Sequence, residues 1–175
     1  MSVEVDIYRA QAGDEHALSL VGQATFLETF SGVLDGTAII EHCRKAHSAS
    51  QYQHWLGDAH SAVWLASAAP GRAPVGYLVV TTPELPGADA AHDLELKRIY
   101  LLGRYQGGGL GKRLLGQAIK HAKGAGAARL LLGVFAGNQS AIAFYRKQGF
   151  RHFADRRFLI GGTPYEDHVM SLELG

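Results

Sequence analysis

Cysteine is nearly missing from this chain of 175 residues: Cys43 stands alone. That excludes an internal disulfide and any cysteine-cluster metal site, and it fits a reducing compartment. An excess of one charge is also missing. Lys and Arg number 17 against 16 Asp and Glu, which argues against a nucleic-acid binder living on bulk charge. No basic stripe with interleaved aromatics appears. No apolar run approaches the ~18 residues that a membrane span needs. The opening MSVEVDIYRA has neither the basic nor the apolar region of a signal peptide, so the expectation is a cytoplasmic protein with no membrane and no nucleic-acid partner. Repeats, low-complexity tracts and long linkers are absent too. One domain over residues 1–175 is expected, large enough to bury roughly 70% of its unfolded surface without staples.

What is abundant is glycine, 22 residues, roughly 13% where about 7% is average. Ten of them fall between Gly103 and Gly137. Glycine concentrated in one stretch marks backbone that turns sharply or lets a ligand come close.

The apolar pattern gives the frame for that stretch. Val3, Val5 and Ile7 alternate with polar residues as in a half-buried strand. Asp14 is placed to cap a helix running to Phe30, and further helices are expected over 37–46 and 50–56. AVWLASA (62–68) and GYLVVT (76–81) read as a hairpin around Pro70, Gly71 and Pro74. A strand follows over 94–102, with Lys97 and Arg98 adjacent and able to form a bulge. After the glycine loop come a helix over 110–123, an almost wholly apolar strand over 129–134, a helix capped by Asn138, and two closing strands. The predicted fold is mixed α/β, a sheet with helices on its faces.

The loop Gln106-Gly107-Gly108-Gly109-Leu110-Gly111 joins a strand to a helix. A helix start leaves N–H groups unpaired and carries about half a positive charge. Glycines remove the Cβ atoms that would hold a phosphate off, and Lys112 and Arg113 add cations in the first turn. A diphosphate satisfies all of these together; tight packing alone is the rival reading. A Walker A loop is excluded because Lys112 is followed by Arg113, not Ser or Thr. The dinucleotide fingerprint fails because its third glycine falls on Lys112 or Leu114.

The spacing that fits is Gln-x-x-Gly-x-Gly, at Gln106, Gly109 and Gly111. Within the stretch from Ile99 to Leu115 it resembles the pyrophosphate motif of the GNAT superfamily of acetyl-CoA-dependent N-acetyltransferases. A second segment, Asn138 to Phe150, is similar to that family's Asn-x-x-Ala-x-x-Phe-Tyr-x-x-x-Gly-Phe pattern at every fixed position. Gly103 departs from the resemblance, since many relatives have proline there. The resemblance covers essentially the whole chain. It implies a mostly antiparallel sheet that splays at the CoA-binding strands.

The resemblance also implies roles. Acetyl-CoA would be the donor and a primary amine, on a small molecule or a peptide, the acceptor. Backbone groups near Ile99, Tyr100 and Leu101 would hold the pantetheine arm, with an N–H near Leu101 stabilising the charge on the thioester oxygen. Residues Gly107, Gly108, Gly109, Leu110, Gly111 and Lys112 would cradle the pyrophosphate, with Gln106 and Asn138 also on the cofactor side. Tyr145 would give a proton to the departing thiolate, its phenol being protonated at pH 7. Glu95 would take the amine's proton through water; the alternative is an ion pair with Lys97 or Arg98. His92 and Asp93 are fallback bases. On the acceptor side, Phe26, Glu28 and Phe30 lie in TFLETF, a phrase that resembles polyamine- and diamine-acetylating branches, and Tyr165-Glu166-Asp167 adds acidity beside an aromatic. No histidine falls in a metal-ligand spacing; His42 and His47 are expected to be solvated, and no metal is predicted. A homodimer follows by family analogy alone. The rival functions are a non-catalytic acyl-CoA-binding regulatory module and an unrelated nucleotide-phosphate binder.

Overall fold

The computed structural model describes residues 3–175. Its elements, in order, are β1 (Val5–Arg9), α1 (Glu15–Phe30), α2 (Gly36–Ala46), α3 (Ala49–Gly57), β2 (Ala62–Ala68), β3 (Ala73–Thr81), β4 (Asp93–Leu101), α4 (Leu110–Gly124), β5 (Arg129–Phe135), α5 (Gln139–Lys147), β6 (Arg151–Ile160) and β7 (Thr163–Glu173). A short 3-10 turn, Gly103–Tyr105, separates β4 from α4. The seven strands have the order β1-β2-β3-β4-β5-β7-β6. Among the described residues, no helix is long and apolar enough to cross a membrane.

Two caps match their expected chemistry. Asp35 accepts from the Thr37 amide at the start of α2, and Ser48 accepts from that of Gln51 at the start of α3. Asp14 departs from expectation. It gives α1 no side-chain cap, because its carboxylate accepts instead from the Gln11 amide, closing the turn before the helix. The first strand also starts later than the alternation suggested, at Val5; its ladder with β2 begins at the Val5–Ala68 pair.

The chain packs as two compact units. One holds the residues up to Val79 together with Arg98–Leu115; the other holds Val80–Lys97 and Gly116–Gly175. No linker separates them: β3, β4 and α4 each run from one unit into the other.

The first unit has a core of Leu18, Val21, Tyr52, Val63, Leu65, Tyr77 and Val79, with Trp55, Tyr100 and Leu102 packed against it. Gly76 lets β3 and β4 approach. A Cβ there would run into the Leu101 side chain and lie 2.9 Å from the Tyr100 carbonyl oxygen. In the second unit, β5 pairs antiparallel with β7 along its whole length, and β7 with β6. The parallel pairing of β4 with β5 covers only Asp93–Glu95 against Arg129–Leu131. That short ladder is what a splay of the two strands requires.

Candidate active site

The glycine loop lies in the first unit, between the end of β4 and the start of α4. Gln106 anchors it: its side-chain amide donates to the Leu101 carbonyl at 3.1 Å, tying the loop back to the strand end. Gly107 and Gly109 sit at φ +82° and +83°, in the left-handed region that favours glycine. Gly108 does not, and a Cβ built on it meets nothing within 4 Å. Neither backbone conformation nor internal packing therefore demands glycine at 108.

The first amide of α4 to find a partner one turn back is that of Arg113, on the Gly109 carbonyl at 3.1 Å. The amides of Leu110, Gly111 and Lys112 thus stand at the open end of the helix. No acidic residue occupies this first turn, and Lys112 is exposed. Arg113 is turned away, donating to the Val5 carbonyl at 3.4 Å. Open amides and an exposed ammonium are the donors a pyrophosphate needs.

The residues expected on the acceptor side divide. The Phe26 and Phe30 rings lie tilted with centroids 4.5 Å apart, and Phe26 also stacks on His42 at 4.4 Å. Glu28 turns elsewhere, accepting the Gly103 amide at 2.9 Å.

Behind Phe26 lies a group that sequence reasoning missed as a unit: His47, Tyr52 and Arg98. His47 was expected to be solvated, yet it is only 2% exposed. Its Nδ1 lies 2.8 Å from the Tyr52 hydroxyl and 3.2 Å from Arg98 Nη1, and Arg98 Nη1 also donates to the Tyr52 hydroxyl at 2.9 Å. A guanidinium only donates. Nδ1 must therefore be the acceptor, and His47 is the neutral Nε2–H tautomer. Burial, then the Arg98 charge, then His42 hold its pKa down to about 2. His42, half-buried rather than solvated, is lowered by burial and by Arg98. Arg98 also lies over the rings of Trp55 at 4.8 Å and Tyr52 at 5.5 Å. Gly22 on α1 makes room for this group, since a Cβ there would strike the Tyr52 hydroxyl and lie 2.7 Å from His47 Nδ1. The cross-chain pairing of residues 47, 52 and 98 has no sequence periodicity to announce it.

In the second unit, Glu95 is 2% exposed. One carboxylate oxygen accepts the Glu84 amide at 2.8 Å, and the other lies 3.6 Å from Lys97 Nζ. The ion-pair partner is thus Lys97, which also meets Glu84 at 2.8 Å. Asp93 is held by Arg129 through two bonds of 3.0 and 2.6 Å and by the Asp89 amide. That occupancy makes it a poor base. His92 is exposed and paired with Asp89, whose hydrogen bond raises its pKa.

Asn138 caps α5, its Oδ1 accepting the Ala141 amide at 3.2 Å. Tyr145, seven residues on, is 9% exposed, with rings of Phe144 and Phe150 edge-on at 5.4 and 5.7 Å. Tyr165 meets Phe135 edge-on. Its acidic neighbours are engaged: Glu166 with Arg157 at 3.1 Å and Asp167 with Arg156 at 3.2 Å. Asp167 is raised by burial, with Arg156 opposing.

The second unit also brings together His152, Asp155 and His168, whose ligating atoms lie within 4.8 Å of one another. Both histidines bond the same Asp155 oxygen at 2.8 Å. The trio spans the antiparallel β6–β7 pair, so no linear spacing reveals it.

The acetyltransferase (GNAT) family model matches residues 26–150. The chain is 35% identical over 127 residues to an uncharacterized N-acetyltransferase of Mycobacterium bovis, covering 73% of this chain and 76% of that one. It is 30% identical over 159 residues to a mycothiol acetyltransferase of a Nocardioides species, covering 87% of this chain but 51% of the relative. Its fold is similar to that of the PaiA N-acetyltransferase of Thermoplasma acidophilum, solved in complex with coenzyme A: TM-score 0.79, 21% identity, 97% and 99% of the two chains covered. Glycine cradle, strand order and kinship agree: this chain belongs to the GNAT family and is an acetyl-CoA-dependent N-acetyltransferase.

Proposed function

We propose that this protein moves the acetyl group of acetyl-CoA onto a primary amine by direct attack, with Tyr145 as the general acid and Glu95 as a water-mediated base. The observation that carries the reading is the loop at Gly107–Gly109, where a Cβ at 108 would meet no atom of the chain within 4 Å and the loop opens onto the free amides of the helix start. Bound acetyl-CoA supplies an activated thioester.

The chain's own residues do the rest. The open amides of Leu110, Gly111 and Lys112 and the Lys112 ammonium hold the pyrophosphate oxygens. The backbone of Ile99–Leu101 lines the acyl arm, and Leu101 N–H steadies negative charge on the carbonyl oxygen. An alkylamine is protonated at pH 7 and attacks only after losing that proton. Glu95 draws it away through water, in spite of its contact with Lys97. As the new C–N bond forms and the C–S bond breaks, Tyr145 O–H gives its proton to the sulfur, and the second proton shed by the nitrogen passes through water to restore the phenol. A phenol suits this role because it is neutral at pH 7 yet acidic enough to transfer a proton to a thiolate.

The test is thiol release from acetyl-CoA with a panel of primary amines. Turnover with at least one amine supports the reading. Tight CoA binding with no turnover on any of them supports the acyl-CoA-binding module in its place.

A further inference from the structure

Arg98 is the feature of the first unit that the acetyl transfer leaves unused. It keeps only part of its surface exposed, and its charge is permanent. Among the described residues it makes no ion pair with a carboxylate. Its partners are neutral: the Tyr52 hydroxyl, His47 Nδ1 and the faces of Tyr52 and Trp55. Beside it, the fully buried Tyr77 hydroxyl makes no hydrogen bond of good geometry, though Tyr52 and Arg98 both lie close enough to influence it. A cation desolvated without a counter-ion is costly to hold, and polar groups left unsatisfied around one ask for an explanation.

Its field can be read from its neighbours. Once burial is accounted for, the Arg98 charge is the next influence keeping protons off both His42 and His47. A charge that adds to burial in keeping two imidazoles neutral also repels a cation brought close to it and attracts an anion. Arg98 also directly precedes Ile99–Leu101, the backbone assigned to the acyl arm. Of the carboxylates that sequence reading had offered to a cationic acceptor, Glu166 and Asp167 are meanwhile paired with Arg157 and Arg156, while Glu28 is turned to the Gly103 amide.

We propose that the amine acceptor carries a carboxylate, and that Arg98, set among Tyr52, His47 and Trp55, is the group that receives it. The substrate class is a small α-amino-acid-like amine and not a polyamine. This inference rests on the acetyltransferase reading above. Acceptor binding gives Arg98 the counter-ion that the chain does not, through charge-assisted N–H to carboxylate bonds from the nitrogens that Tyr52 and His47 leave open.

The experiment pairs binding with turnover. CoA-loaded protein is titrated calorimetrically with the L-α-amino acids, with their carboxamides and with spermidine, and the same compounds are run as acceptors against acetyl-CoA. The expected result is that at least one amino acid binds and is acetylated at least about tenfold better than its carboxamide, the scale of a charged hydrogen bond. In Arg98→Gln that preference disappears, while the KM for acetyl-CoA stays within about twofold. Arg98→Lys keeps the charge without the fork and retains part of the preference, which guards against a Gln variant that fails to fold. Equal use of amino acids and carboxamides, best activity with spermidine, or an Arg98→Gln variant that slows all acceptors alike overturns the inference while leaving the acetyltransferase reading intact. Amino-acid binding that needs Arg98, without turnover of any acceptor, keeps the inference on binding and sinks the catalytic reading. No amino-acid binding at all overturns the inference.

Discussion

The Glu28 carboxylate at the end of α1 accepts the backbone amide of Gly103 at 2.9 Å, joining residues 75 apart in the chain. Many members of the family that the motif resembles carry proline at this turn, and proline has no N–H to give. The residue that departs from the resemblance is a hydrogen-bond donor in the structure. Leu102, at φ −56° and ψ 139°, already has the extended conformation that proline asks of the residue before it. Gly103→Pro should therefore cost stability through the lost bond and not through backbone strain. The expected loss is about 1 kcal/mol in urea unfolding, and in a Glu28→Ala background the proline should cost nothing further. A proline penalty that persists in that background would show that Glu28 is not the partner that matters.

The glycine loop allows packing and ligand approach to be separated by mutation. Gly108→Ala meets open space at an ordinary φ, so unfolding free energy should stay within about 0.5 kcal/mol of wild type. CoA affinity should fall by about tenfold, or 1.4 kcal/mol. Gly109→Ala forces a side chain to φ +83° and should cost stability as well, about 1 kcal/mol. Calorimetry with CoA and a denaturant titration distinguish the two; undiminished CoA binding by Gly108→Ala would remove the argument for the cradle.

Tyr145→Phe keeps the ring contacts with Phe144 and Phe150 and removes only the hydroxyl. On the proposed mechanism kcat should fall by about a hundredfold or more, with the KM for acetyl-CoA nearly unchanged. A variant that turns over at the wild-type rate would exclude Tyr145 as the acid.

His47 makes stability depend on pH. Its pKa is about 2 in the folded chain against 6.5 ordinarily, so between those values the unfolded state binds a proton that the folded state refuses. Stability is then fully present above pH 6.5 and is lost as pH falls below it, by up to about 1.4 kcal/mol per unit. His42, lowered for the same reasons, acts in the same direction. Urea unfolding at pH 7, 6 and 5 should show the decline, and His47→Gln should flatten it. An equally steep decline in the variant would place the proton uptake elsewhere.

Much of the function was legible in the residues alone, because the chemistry is local. A strand end, a run of glycines and a helix start are contiguous from Leu101 to Lys112, so the open helix start and its glycine loop are written in one segment. The cap at Asn138 and the tyrosine two turns on are written the same way. Periodicity likewise gave the mixed α/β class, because helix and strand faces repeat at fixed intervals. What spacing could not reveal is which side chains oppose one another once the chain has folded. Arg98 looked like half of a surface charge pair beside Lys97. Only tertiary packing turned the two apart, Lys97 toward Glu84 and Glu95, and Arg98 toward His47 and Tyr52 from the helical region some fifty residues earlier. Burial of that kind, which decides whether a histidine is charged and which sign of ligand a site prefers, depends on the dielectric and the neighbours that tertiary contacts create, and no linear pattern encodes them.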